Sequence, residues 1–209
     1  MKKTINVKYV KISAVAAIAV LFSTTAFAQG GEAAFNKGSK TLGFALGIGV
    51  DYGYGTYYGG NAVSLPAIMM MYDQGFFEDV GPGTIGIGGV IGYKSSHYDY
   101  TYAYVHNAPV KYKKTYTNFI IGVRGTYHLT ILKDKNNKFD PYAGVTIGVR
   151  IFTHNNNDPY DTYVYNYNSV YPVAGAFIGA KYNLTPRFGF FGEAGYDISL
   201  LRIGFNINF

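Results

Sequence analysis

The stretch Ser95-Ser96-His97-Tyr98-Asp99 sets two hydroxyls, an imidazole and a carboxylate within five residues, the side-chain types that nucleophilic hydrolysis uses. Their spacing argues against that use. In an extended chain, neighbouring side chains point to opposite faces, so Ser96 and His97 diverge while His97 and Asp99 share a side. His97, His106 and His154 could gather around a metal ion only through long-range folding, because no local ligand spacing joins them. Gly86-Ile87-Gly88-Gly89-Val90-Ile91-Gly92 approaches a dinucleotide-binding fingerprint. Its spacing is off and no helical pattern follows, so the glycines read as strand residues facing a crowded surface. No catalytic residue, metal or cofactor is assigned on this basis. The more distinctive feature is a set of single charges, Arg124, Arg150, Lys181, Glu193 and Arg202, each standing alone in apolar or glycine-rich sequence.

The elements that must position these charges have a period of two. Eight segments alternate in character, at roughly 40–51, 61–72, 84–96, 116–130, 140–152, 173–183, 186–197 and 200–209. The second is the least regular: it is apolar on both faces, and its Pro66 cannot donate to a ladder. The breaks between segments also alternate in kind. Those at 73–83, at 133–138 and at Asn183-Leu184-Thr185-Pro186 are compact, whereas the first, third and fifth are longer and rich in tyrosine. The longest, 97–115, contains YDYTYAYV at 98–105; only the last break, 197–199, departs from the scheme by being short. Tight turns at one end and long loops at the other are the habit of a transmembrane β-barrel.

Which face carries charge separates that architecture from a soluble barrel. In the last segment Leu201, Ile203, Phe205, Ile207 and Phe209 oppose Arg202, Gly204, Asn206 and Asn208. Val145, Ile147 and Val149 oppose Thr146, Gly148 and Arg150, and Phe119, Ile121 and Val123 oppose Asn118, Gly122 and Arg124. A face made of glycines and isolated Arg or Glu is a poor surface for water but suits a narrow lumen, where small residues leave room for long ones. Tyr52, Tyr93 and Tyr196 at the loop ends, with Tyr127, Tyr182, Phe188 and Phe209 at the turn ends, read as two aromatic girdles. The expected fold is therefore all-β: an eight-stranded antiparallel up-and-down transmembrane β-barrel with elongated extracellular hairpins.

The N-terminus agrees with export. Lys2, Lys3, Lys8 and Lys11 precede an apolar run from Ile12 to Phe22, and Ala26-Phe27-Ala28 follows as a cleavage motif, so residues 1–28 read as a signal peptide. Residues 29–39 read as a flexible leader and 40–209 as the barrel. The signal peptide holds four of the 18 Lys and Arg and none of the 12 Asp and Glu, leaving fourteen cations against twelve anions. The basic character of the whole chain is thus largely that of its leader, and nucleic-acid binding has no support. With no cysteine, disulfides cannot stabilise the exported protein.

LRIGFNINF at the C-terminus resembles the recognition signal read by the outer-membrane barrel assembly machinery, carried by Leu201, Ile203, Phe205, Ile207 and Phe209. FDPYAGVTIGV (139–149) and TPRFGFFGEAGYDISLLRIGFNINF (185–209) resemble the small outer-membrane β-barrel family, whose members include eight-stranded proteins of OmpA and OmpX type. The resemblance implies the outer membrane of a Gram-negative bacterium, contact with lipid and lipopolysaccharide, and a role ranging from structural protein to adhesin or lipid-modifying enzyme. No HxSN-like element of the lipid A deacylases is present.

Alternation points Arg124, Arg150, Lys181, Glu193 and Arg202 into the lumen, where Glu193 is expected to pair with one or more of the cations. An eight-stranded interior is just wide enough for side chains to fill, so a closed lumen is expected, with a narrow anion or small-solute path as the alternative. Tyr98, Tyr100, Tyr102, Tyr104, Tyr112, Tyr116, Tyr163, Tyr165, Tyr167 and Tyr171 fall on the lumen-side face unless a bulge intervenes. They form a candidate cup for an extracellular protein or glycan, because tyrosine offers contact area at low entropic cost.

Overall fold

A bulky apolar residue alternating with a small or polar one favours a pleated strand with two unlike faces. The computed structural model describes residues 35–49, 61–105, 108–130, 138–156 and 167–209, with the backbone alone at strand positions 61–62, 100–105, 108–112 and 167. The strands are β1 (Lys40–Ile48), β2 (Asn61–Ser64), β3 (Ala67–Val80), β4 (Gly83–Val105), β5 (Ala108–Leu129), β6 (Phe139–Asn156), β7 (Tyr167–Thr185), β8 (Phe188–Tyr196) and β9 (Leu201–Asn208). Every pairing is antiparallel. The order β2-β4-β3-β1-β9-β8-β7-β6-β5 closes on itself through β4–β5, so β1 and β3 to β9 form a ring of eight. Closure leaves no unpaired edge in the wall, the condition a sheet must meet to sit in hydrocarbon.

Several boundaries differ from those expected, among them the ends of 153–172, where β6 runs on to Asn156 and β7 begins at Tyr167. The segment 61–72 is divided at Leu65-Pro66, where the proline interrupts the ladder, and β2 pairs with β4 alone. The stretch 73–80, expected to belong to a compact break, continues β3 with register shifts near Phe77. The turn itself is only Gly81-Pro82, reached through left-handed Asp79 (φ 58°). In the other direction, 97–115 is largely a paired hairpin: β4 and β5 run in register from Gly83↔Leu129 to Val105↔Ala108. A register shift between Thr101 and Ala103 breaks the strict two-residue repeat within YDYTYAYV.

The barrel is apolar outside and polar inside. Ile203 is 73 % exposed, Ile147 67 %, Ile178 66 % and Val123 62 %, whereas His128, Asn206 and Thr146 are fully buried and Arg202 is 2 % exposed. Tyr93, Tyr196 and Tyr182 also face outward; Tyr52 lies outside the described residues. Fully exposing one Ile or Leu side chain to water forfeits about 1.5–3 kcal/mol. A belt of them around a charged interior is a stable surface only against lipid. Inside, an apolar layer of Met69, Met71, Val90, Ile120 and Phe191 includes Ile198, which the β8–β9 connection turns back into the lumen. Glycine also lets neighbouring wall strands come close: a Cβ on Gly88 of β4 would lie 1.8 Å from the Tyr72 carbonyl oxygen of β3.

Candidate functional site

Among the described residues, two charge clusters stand out in the lumen. The first centres on Glu193 of β8. Arg124 Nη2 of β5 donates to its Oε1 at 2.7 Å, Tyr142 Oη of β6 donates to the same oxygen at 2.6 Å, and Arg202 Nε of β9 donates to Oε2. Arg202 also donates to Asp197 Oδ1, and Thr146 Oγ1 donates to Asp197 Oδ2 at 3.0 Å. Both guanidinium groups lie over the Phe177 ring, Arg124 at 4.1 Å and Arg202 at 5.0 Å. The cluster thereby ties β5, β6, β8, β9 and the β8–β9 connection together across the barrel axis. Each ion would cost several kcal/mol to bury alone, and here each finds opposite charge and directed hydrogen bonds.

The second cluster lies nearer the turn end. His128 of β5 stands between two carboxylates, with Nδ1 2.9 Å from Asp140 of β6 and Nε2 3.1 Å from Asp73 Oδ2 of β3. Thr126 Oγ1 donates to both Asp73 oxygens, at 2.9 and 3.0 Å. Lys181 Nζ sits 4.0 Å from Asp140 Oδ2 and over the rings of Phe35 and Tyr142. Between the two clusters a cavity of about 20 Å³ is lined by Asp73, Arg124, Tyr142, Lys181, Glu193 and Asn206. That is room for roughly one water molecule.

Of the charges expected in the lumen, Arg124 and Arg202 reach Glu193. Lys181 turns to Asp140 because it stands lower, level with Phe191 rather than Glu193. Arg150 stands higher, its guanidinium 4.9 Å over the Tyr171 ring, and does not pair with Glu193. Asp73, Thr126, His128, Asp140, Tyr142 and Asp197 complete the clusters and were not part of the expected set. Their signal was present as continued alternation. Asp73 follows Met69 and Met71 on one row, and Asp197 follows Glu193 and Gly195. Asp73 and Asp197 fall in 73–83 and 197–199, expected to be breaks, whereas Thr126, His128, Asp140 and Tyr142 lie on the inward rows of the expected strands 116–130 and 140–152.

Near the loop end Tyr116 packs against Phe152 (6.2 Å) and His154 (4.9 Å), and Phe152 against Tyr171 (6.5 Å). Tyr98 is half-buried on β4, opposite Lys114. For Tyr100, Tyr102, Tyr104, Tyr112 and Tyr167 the backbone alone is placed, and Tyr163 and Tyr165 lie outside the described residues. Hydrolase geometry is missing at Ser96: its Oγ lies 2.9 Å from Ser64 Oγ, and no hydrogen bond joins it to His97. His97 pairs with Thr115 on the row opposite to that of Tyr116 and His154, so His97 and His154 face different sides of the wall. His106 lies outside the described residues.

Fold and interior together define the class: an eight-stranded antiparallel barrel of the membrane-spanning kind, with its lumen filled by charge clusters. No protein-family model and no curated protein matches the chain. Among solved structures it is similar to the N-terminal β-barrel domain of Pseudomonas aeruginosa OprF, with a TM-score of 0.46 and 12 % identity over 83 % of this chain and 98 % of that one. It is also similar to Ail, the attachment invasion locus protein of Yersinia pestis, with a TM-score of 0.42 and 11 % identity over 83 % of this chain and 99 % of that one. Ail in complex with the heparin analogue sucrose octasulfate gives a TM-score of 0.42 and 10 % identity, with the same coverage.

Proposed function

We propose that the chain is an integral outer-membrane protein of a Gram-negative envelope, inserted through its C-terminal strand and surrounded by lipid and lipopolysaccharide. Its specific role is surface binding of a protein or glycan through the hairpins at the loop end. The observation that carries this reading is the β4–β5 hairpin. From Tyr93, on the outer face, β4 runs on paired to Val105, about 40 Å at roughly 3.3 Å per residue, farther than lipid contact requires. A barrel that only stabilised the envelope would gain nothing from a paired arm of that length. The filled lumen speaks against a channel, and the divergence of Ser96 and His97 against a lipid-modifying enzyme.

Deletion of 97–115 with a short turn in its place tests the proposal in whole cells. Loss of cell-surface binding to host protein and glycan arrays, with normal heat-modifiable gel migration, is the expected result. Unchanged binding refutes it, and an altered lipid A mass spectrum would favour the enzyme instead.

A further inference from the structure

Residues 35–39 belong to the segment whose sequence reads as a flexible leader, yet they are held at several points. Gly38 N donates to the Gly75 carbonyl and Gly75 N to the Ser39 carbonyl, each at 2.9 Å, while Asn36 N donates to Ser39 Oγ at 2.9 Å. Phe35 at the head of the turn is 4 % exposed. Its ring lies parallel to the His128 imidazole, with centroids 3.7 Å apart and planes 15° off, and the Lys181 ammonium stands 4.9 Å from its centre. The wall is cut away to receive it. A Cβ on Gly75 would lie 2.1 Å from the Asn36 carbonyl oxygen; one on Gly86 would meet Thr126 Oγ1 at 2.4 Å and Asp73 Oδ1 at 2.6 Å, with the Phe35 ring next at 3.1 Å.

We propose that Phe35–Ser39 is a strap that corks the turn-end mouth, and that the cluster of Asp73, His128, Asp140 and Lys181 is the socket for its aromatic ring. The chemistry suits an aromatic occupant. Two carboxylates hold the edge of the imidazole, Tyr142 stacks on it at 5.0 Å, and the electron-rich face of a phenyl ring complements both the ammonium and an imidazole polarised by those carboxylates. Few other groups would fit, since a carboxylate would face Asp73 and Asp140, and an aliphatic chain offers no π-face to the ammonium or the imidazole. The socket touches the Glu193 cluster through Tyr142, whose ring stacks on His128 and whose hydroxyl binds Glu193, but the guanidinium groups of that cluster lie beyond it, so undocking the strap opens only the turn-end half of the lumen. Water then reaches Thr84 and His128, which are in register on β4 and β5 and fully buried when the strap is seated. The Arg124–Glu193–Arg202 layer still blocks passage beyond.

Because the chain has no cysteine, single-cysteine reporters isolate the two halves. Thr84→Cys reports on the socket side, and Thr146→Cys, whose parent hydroxyl binds Asp197, reports beyond the Glu193 layer. The mature protein is folded in detergent micelles, where both mouths face water, and labelled with a polar maleimide. With Phe35 present, T84C is expected to label slowly. F35A should speed that labelling at least tenfold and F35L by less, with T146C unchanged in both. The proposal is overturned if T84C labels at the same rate in F35A barrels that keep heat-modifiable migration. It is equally overturned if T84C already labels fast with Phe35 in place, or if T146C accelerates in step with T84C. Should F35A fail to fold, F35L decides, and an unchanged T84C rate there overturns the strap.

Discussion

Replacing Glu193 by Gln tests whether the Glu193 cluster holds the barrel together. The substitution keeps the shape but removes the negative charge facing Arg124 and Arg202, and turns an amide N–H toward a guanidinium. Removing one partner of a buried pair costs about 3–5 kcal/mol, because the remaining charge stays buried. The structure places this case near the lower end. Arg202 retains Asp197, and Arg124 retains the face of Phe177 at 4.1 Å but loses its hydrogen bond to the Glu193 carboxylate. A loss of about 3 kcal/mol, roughly a hundredfold in the folding equilibrium, is expected. Urea unfolding in lipid vesicles, followed by far-ultraviolet circular dichroism and heat-modifiable migration, measures it. The buried pair should also resist salt, since screening acts on exposed charges. The double variant R124M/E193Q should lose less than the sum of the single losses, because it leaves one fewer orphaned charge. A loss below about 1 kcal/mol for E193Q, the range of surface ion pairs, would refute the reasoning, as would a loss that vanished in 1 M salt.

Three other outcomes follow from the same geometry. Ile203→Lys places a charge on the most exposed apolar position of β9 and should cost about 2–4 kcal/mol in lipid vesicles, where a soluble barrel would be nearly indifferent. Gly88→Ala should abolish folding on a gel-shift assay, because its Cβ meets the Tyr72 carbonyl at 1.8 Å; Gly89→Ala, with 3.5 Å to the Gly122 carbonyl, should fold. Ile198→Ala should cost about 2–4 kcal/mol in urea unfolding, since Ile198 is 1 % exposed among Met69, Val90 and Ile120, whereas an outward-facing connection would lose almost nothing.

The sequence by itself determined the wall. Alternation of apolar against small or polar residues is a local property of each strand. It was therefore enough to identify which residues of β1, β5, β6 and β9 face outward, that the barrel is inverted, and that Arg124, Glu193 and Arg202 point inward. Which inward charges meet was a tertiary matter. It depends on the stagger of strands around the closed ring, which sets Glu193 level with Arg202 and Gly179 while leaving Lys181 beside Asp140 and Arg150 beside Tyr171. No pattern within one strand contains that offset. The ends were illegible for a related reason. Asp197 still follows the row of Glu193 and Gly195, but Ile198 breaks the alternation by turning inward as well, and Phe35 lies ahead of the first strand, where side-chain period carries no information. Their inward turn is driven by what they find across the lumen: Arg202 for Asp197, the Met69 layer for Ile198, and the face of His128 for Phe35. Arg202 lies five residues from Asp197 across the β8–β9 connection, whereas the Met69 layer and His128 lie far away in sequence and come within reach of Ile198 and Phe35 only as the ring closes.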